Sequence, residues 1–321
     1  MAVWLISGSE TVYGCMERRF LGYTISKLCL FCNLCFWPIG CMYVSGEPSD
    51  APTALRVEVL DVGQGLAVLF SWKGCHGLYD VGPDSVGVLD SLSARGVDSL
   101  EWVLLSHNHR DHAGGFLEIL RKGASREGRL HVKRLFVGPD TAGAFVRDSV
   151  LRIALTLGIP VDTLVRGDSF VLSDSDVALS ASNGDVPRFD VLWPPDYVRV
   201  GENAASVSVR VEYGIASMLL TGDLDSACER RLMELSPTLR ADVLQIPHHG
   251  SASSNTLSFL SQLSPEYAVI SVGEGNSYGH PAKSVVRKLQ YVVGDSLRIF
   301  RTDRDGSVGL DLFSDIGVIA P

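Results

Sequence analysis

Apolar and polar positions alternate over residues 55–60, a period of two that predicts a strand with one face buried. Apolar runs at 66–72, 102–105, 135–137, 171–179, 191–193, 206–212, 217–220, 243–246, 267–272 and 298–301 predict further strands. Apolar positions recur at helical spacing over 85–95, where Val86, Leu89 and Leu92 share a face, and over 142–157, 225–235, 254–263 and 282–293. A further helix is expected over 115–122. No repeat of fixed period interrupts this order. Strands, then helices, then strands and helices again suggest two sheets with helices outside, leaving loops at one edge for a site. The pattern by itself fixes an α/β class and one large domain.

Before residue 53 the pattern differs. Residues 28–46 carry no charge and follow Arg18, Arg19 and Lys27. At ~1.5 Å per residue such a helix reaches ~28 Å, marginal for a bilayer, and Asn33, Pro38 and Gly40 weaken it. It reads as a membrane-proximal segment: a signal peptide, a lipoprotein-type signal ending at Cys41, or the last membrane helix of a longer ancestral protein. Cys29, Cys32 and Cys35 form two C-x-x-C pairs. Their neighbours Leu30, Phe31, Leu34, Phe36 and Trp37 favour a hydrophobic segment over a zinc knuckle. Residues 45–52 are rich in Gly, Pro and small polar residues and read as a linker. The expected organisation is a hydrophobic segment plus linker over 1–52 and one catalytic domain over 53–321. The expected location is the cell envelope, with the cytoplasm as the alternative if 1–50 is neither signal nor anchor.

Composition changes this picture only by exclusion. With 46% hydrophobic and 20% charged residues in 321, the chain is neither disordered nor a polytopic membrane protein. Its net charge of −9 is unlike a non-specific nucleic-acid binder, so such contact needs a local basic patch or a bridging metal. One basic stretch exists: Arg121, Lys122, Arg126, Arg129, Lys133 and Arg134, against Glu127. It reads equally well as a solvated helix end.

The strongest chemical signal is Ser106-His107-Asn-His109-Arg-Asp111-His112-Ala-Gly-Gly115, directly after an apolar run. Divalent metals take imidazole and carboxylate donors at roughly 2.0–2.2 Å. A turn at a strand end can aim His107 and His109 at one metal, while Asp111 and His112 open a helix and face a second. Ala113-Gly-Gly115 lets the backbone turn closely. Asp223 ends another apolar run. His248 and His249 follow a third, and His280 lies in the next loop. No Gly-x-Ser-x-Gly elbow competes as nucleophile.

H-x-H-x-D-H after a strand resembles the metallo-β-lactamase fold superfamily. Leu60-Asp-Val-Gly-Gln-Gly65, Tyr79-Asp80-Val-Gly-Pro83, Leu219-Leu-Thr-Gly-Asp223, Ile246-Pro-His-His-Gly-Ser251, Asn276-Ser-Tyr-Gly-His-Pro281 and Thr302-Asp-Arg-Asp-Gly306 follow in order. Together they resemble the C-terminal hydrolase-like domain of the ComEC family of DNA-internalisation competence proteins, over roughly 54–313. The resemblance implies a four-layer αββα sandwich and two divalent metals, zinc or manganese. His107 and His109 would bind one, Asp111 and His112 the other, with Asp223 bridging. One of His248 and His249 would be a ligand or proton donor, and His280 a ligand or proton donor. Asp80 would orient a histidine from behind. The superfamily usually supplies another metal-binding histidine between the first motif and the bridging Asp. Here only His131 lies in that span, and Asn203-Ala-Ala-Ser206 matches the Asn-x-x-Ser of the ComEC-like pattern. His76 and His131 read as structural.

The implied reaction is phosphodiester hydrolysis by metal-activated hydroxide, on single-stranded DNA during uptake and alongside other competence proteins. Two alternatives remain. One is a small-molecule phosphodiesterase of the phosphorylcholine-esterase kind, with Asp225 facing the cationic group. The other is a remnant that binds metal or DNA without turnover.

Overall fold

The computed structural model describes residues 53–85, 87–123, 130–139, 144–173, 186–195, 202–295 and 298–321, and a two-rung antiparallel pairing of Arg19–Phe20 with Tyr23–Thr24. Contacts divide the chain into two units, Met1–Asp50 and Ala51–Pro321. The hydrophobic segment at 28–46, and Arg126 and Arg129 of the basic stretch, lie outside the described residues. Among the described residues no helix is long and apolar enough to cross a membrane.

The second unit holds two mixed sheets. The first has eight strands in the order Val161–Thr163, Leu135–Val137, Trp102–Leu105, Cys75–Tyr79, Val68–Trp72, Leu55–Val59, Val308–Phe313 and Gly317–Ile319. The second has seven: Ser169–Val171, Arg188–Trp193, Ser208–Tyr213, Ala216–Leu220, Val243–Gln245, Tyr267–Ile270 and Ile299–Arg301. Trp102–Leu105 and Ala216–Leu220 are buried at every position, as strands covered on both faces must be.

Three apolar clusters make the layers visible. Val57, Phe70, Trp102, Phe189, Val209, Met218 and Leu310 fill the space between the sheets. Phe70, Trp102, Phe170 and Phe189 meet there edge-on and stacked, with centroids 4.9–6.0 Å apart. Each such side chain contributes about 1.5–3 kcal/mol by burial. Helices Val88–Ala94, Phe116–Gly123 and Ala144–Thr156 cover the first sheet through Leu92, Phe116, Val150 and Ala154. Helices Ser226–Leu235, Leu257–Leu263 and Lys283–Val293 cover the second through Leu232, Phe259, Leu260, Val285 and Leu289. This is the αββα sandwich the sequence predicts.

The sheets are tied at one edge by polar bonds. The Tyr79 hydroxyl donates to the Val207 carbonyl at 2.7 Å, and the Val207 amide donates to the Ser106 carbonyl at 2.9 Å. Those bonds hold the loops after Trp102–Leu105 and before Ser208–Tyr213 against each other, where the site lies.

Candidate metal centre

Four loops at that edge converge. The first follows the buried strand Trp102–Leu105 and carries His107 and His109 into the short helix Arg110–Ala113, which holds Asp111 and His112. The chain can turn so closely because Gly115 has no side chain. A Cβ there would collide with the Val81 carbonyl oxygen. The second loop, Thr221-Gly-Asp223, follows Ala216–Leu220. Gln245 holds it by accepting from the amides of Thr221 and Gly222 at 2.8 and 3.0 Å. The third is the turn Pro247–Gly250, in which His248 (φ 51°) and His249 (φ 53°) both adopt left-handed backbone. For residues with a Cβ that conformation costs about 1–3 kcal/mol each and persists only where the surroundings impose it. It sends consecutive imidazoles in different directions. The fourth loop carries His280.

Two donor groups result: Asp111, His112, Asp223 and His249, and beside it His107, His109 and Asp223. Asp223 belongs to both. Its Oδ1 lies 3.1 Å from His112 Nε2 and 3.5 Å from His249 Nε2, while its Oδ2 lies 3.9 Å from His107 Nε2. His112 Nε2 and His249 Nε2 are 3.2 Å apart, and Asp111 Oδ2 is 3.4 Å from His249 Nε2.

The opposite ring nitrogens are spoken for. His112 Nδ1–H donates to Asp80 Oδ2 at 2.7 Å, and His249 Nδ1–H donates to the Ser271 carbonyl at 2.8 Å. Asp80 is fully buried and is itself fixed by the Ser106 amide and hydroxyl, both at 2.7 Å. Hydrogen bonds at Nδ1 turn the Nε2 lone pairs toward the common centre. His107 Nε2 and Asp223 Oδ1 are buried without a hydrogen-bond partner. A cation between these facing nitrogens and carboxylate oxygens would satisfy the orphaned atoms. Donors at ~2.1 Å around a tetrahedral metal stand about 3.4 Å apart, close to the 3.1–3.5 Å gaps of the first group. The donor set therefore fits a divalent metal in that group, and one sharing Asp223 in the second.

Charge follows from the same contacts. Burial pushes the Asp223 carboxyl up, but His112 and His249 outweigh it and hold the group well below the carboxylate range. Burial opposes protonation of His112, yet Asp223 and Asp80 pull its pKa well above the ordinary histidine value. Burial, then the charge of His112, drives His107 down.

The remaining sequence candidates lie around this core. His248 Nε2 is 3.7 Å from Asp223 Oδ2 with its side chain 25% exposed, and burial lowers its pKa. The Asn203 amide lies 3.4 Å from both ring nitrogens of His248. Ser206 Oγ accepts from the Asp223 amide at 3.1 Å. His280 is outside both donor groups. Its ring centroid is 5.9 Å from that of His248, and Asn276 brackets its backbone at 3.0 and 2.7 Å. Asp225 caps the helix Ser226–Leu235, its carboxylate accepting from the amides of Ala227 and Cys228 at 2.9 Å. His76 pairs with Ser71 at 2.8 Å, and His131 sits on an exposed strand position. Lys133 and Arg134 of the basic stretch are ion-paired with Glu101 and Asp162. Sequence reasoning missed Ser106, Gln245 and the Ser271 carbonyl. Gln245 left one trace, a polar residue inside an apolar strand.

The family model for the metallo-β-lactamase superfamily matches residues 60–274, which contain every member of both donor groups. The chain belongs to the metallo-β-lactamase superfamily. Within the superfamily it is similar to ComE operon protein 3 of Bacillus subtilis (strain 168), 31% identical over 315 residues. That alignment takes in 91% of this chain and 37% of the relative. Competence protein ComA of Neisseria gonorrhoeae is 30% identical over 275 residues, 84% of this chain and 34% of the relative. The chain thus spans about a third of the length of these two relatives. Among solved structures, zinc-bound PqqB from Methylobacterium extorquens shares the fold. Its TM-score is 0.51 at 13% identity, covering 80% of this chain and all of that one.

Proposed function

We propose that this chain is a metal-dependent phosphodiesterase that cuts single-stranded DNA as the nuclease part of a ComEC-like uptake system. The observation that carries the reading is Asp223, shared between two His/Asp groups whose Nε2 atoms converge. Similarity to competence proteins supports the substrate.

Asp111, His112 and His249 would hold one divalent metal, zinc or manganese, His107 and His109 the other, and Asp223 would bridge them. When bound, such a pair supplies Lewis acidity and water acidified toward neutral pH. Asp80 and the Ser271 carbonyl keep the two imidazoles aimed and in one tautomer. Ser206 fixes the Asp223 backbone at the point from which the carboxylate reaches both groups. Burial lowers the His248 pKa, and the ring is partly exposed beside Asp223. Its Nε2 would accept a proton from the attacking water and return it to the leaving oxygen, and the Asn203 amide steadies the ring. His280 lines the mouth beyond it. Asp225 is used here as the cap of the helix Ser226–Leu235 rather than as a contact for a cationic substrate group.

The test is manganese- or zinc-dependent cleavage of labelled single-stranded DNA by the full chain, beside Asp223→Ala. Cleavage that disappears in the variant is the expected result. A metal-loaded chain that cuts no strand overturns the nuclease reading.

A further inference from the structure

The helix Lys283–Val293 starts two residues after Pro281 at the rim of the centre and packs on the second sheet through Val285 and Leu289. Its opposite face is exposed and carries Lys283, Arg287 and Tyr291, the tyrosine 77% exposed. Positions four apart stack on one helix face, so these three form a line running away from the centre for about 12 Å. Among the described residues neither Lys283 nor Arg287 is ion-paired. Lys288 is engaged inward, donating to the Asn255 carbonyl at 2.8 Å. The sequence between Glu274 and Asp295 contains no carboxylate, in a chain of net charge −9. At the head of the line Tyr278 is 70% exposed and its ring stacks on His280, centroids 5.7 Å apart and planes 19° apart. His280 in turn faces His248, 5.9 Å away.

We propose that this face is the track of a single-stranded polynucleotide: a base stacks on the Tyr278–His280 platform, and the backbone follows Lys283 and Arg287 away from the centre. The inference rests on the nuclease reading for the centre itself. Its own support is charge complementarity and continuity with the mouth. Cations interleaved with exposed aromatics grip a strand without reading its sequence, because every base has a face to stack and every phosphate a charge. The basic stretch at 121–134 is a poorer track, since Lys133 and Arg134 already hold carboxylates.

The two halves of the track are separable by salt. Binding of a fluorescein-labelled thymidine 20-mer to the full chain is followed by anisotropy at 50–200 mM salt, with EDTA present to stop turnover. Lys283→Ala with Arg287→Ala is expected to weaken binding at least tenfold at 50 mM. It should flatten the log–log salt slope by about 1.4, at roughly 0.7 per lost phosphate contact. Tyr278→Ala is expected to weaken binding about fivefold or more with the slope unchanged, because stacking releases no counterions. Arg152→Ala, an exposed cation on the helix Ala144–Thr156 over the other sheet, serves as the charge control and should leave the slope as it is. Wild-type binding that neither variant alters overturns the track. A salt slope that Arg152→Ala lowers as much as the double variant also overturns it. Cleavage by the metal-loaded wild type is read separately. Its absence, with binding still lost in the variants, overturns the nuclease reading and leaves the track standing.

Discussion

The two donor groups that share Asp223 are built differently. In the first, His112 and His249 are fully enclosed, and each has its Nδ1 tied to a buried acceptor. In the second, His107 is enclosed but His109 is only half-buried and meets the His107 ring at 4.6 Å between centroids. The first group has four protein donors and the second three. A closed donor set holds a metal, whereas an incomplete one leaves room for water or substrate. The contrast teaches that one donor group is braced by the fold and the other is left open.

Removing the shared member should erase the contrast. Asp223→Ala takes a donor from both sides, and DNA cleavage is expected to fall by about a thousandfold or more, with metal content measured alongside by mass spectrometry. Retained two-metal loading in this variant would break the account. Asp80→Asn attacks only the braced side, by weakening the acceptor that fixes His112. Losses of this kind cost about 10–100-fold in metal affinity, which isothermal titration should report for the tighter of two binding steps. His109→Ala should do the reverse, weakening the looser step and leaving the tighter one in place.

The smallest effect concerns the support of His249. Glu229 is buried and accepts from the Asn255 amide and from the Thr256 amide and hydroxyl, the latter two at 2.9 and 2.7 Å. Asn255 in turn donates to the carbonyls of Pro247 and Ser251, bracketing the His248–His249 turn at 3.0 and 3.2 Å. Burial raises the Glu229 pKa above 4.5 despite these donors. The folded state therefore binds this proton more tightly than the unfolded state. The stability this group adds is complete below pH 4.5 and is lost as pH rises through the raised value. In urea unfolding, wild type should lose ground to Glu229→Gln across that window. A difference that is flat with pH would contradict the assignment.

Much of this was legible in the sequence because buried strands and amphipathic helices leave strong periods. Trp102–Leu105 and Leu135–Val137 fall where the apolar runs put them. Val308–Phe313 alternates in burial, yet it lies beyond the last apolar run that predicts a strand, at 298–301. Its role, pairing with Leu55–Val59 from the far end of the chain, is a long-range contact that no local pattern announces. Val161–Thr163 is a mostly exposed edge strand with no apolar period to find. The helix expected over 254–263 begins at Leu257, because Thr256 caps it and Ser254 and Asn255 turn beneath the histidine loop. The cluster at 107–112 was plain from spacing alone. Spacing could not separate His248 from His249, since their opposed directions come from left-handed backbone at both residues. Nor could it find Ser106 or Ser271, whose part is to hold other groups in place.

The central claim is a metal pair bridged by Asp223. Electron paramagnetic resonance of the full chain titrated with manganese tests it most directly. Two equivalents should bind and give the multiline spectrum of a coupled pair roughly 3.5–4 Å apart, and the coupling should vanish in Asp223→Ala. A single equivalent with an isolated six-line signal in the wild type would contradict it.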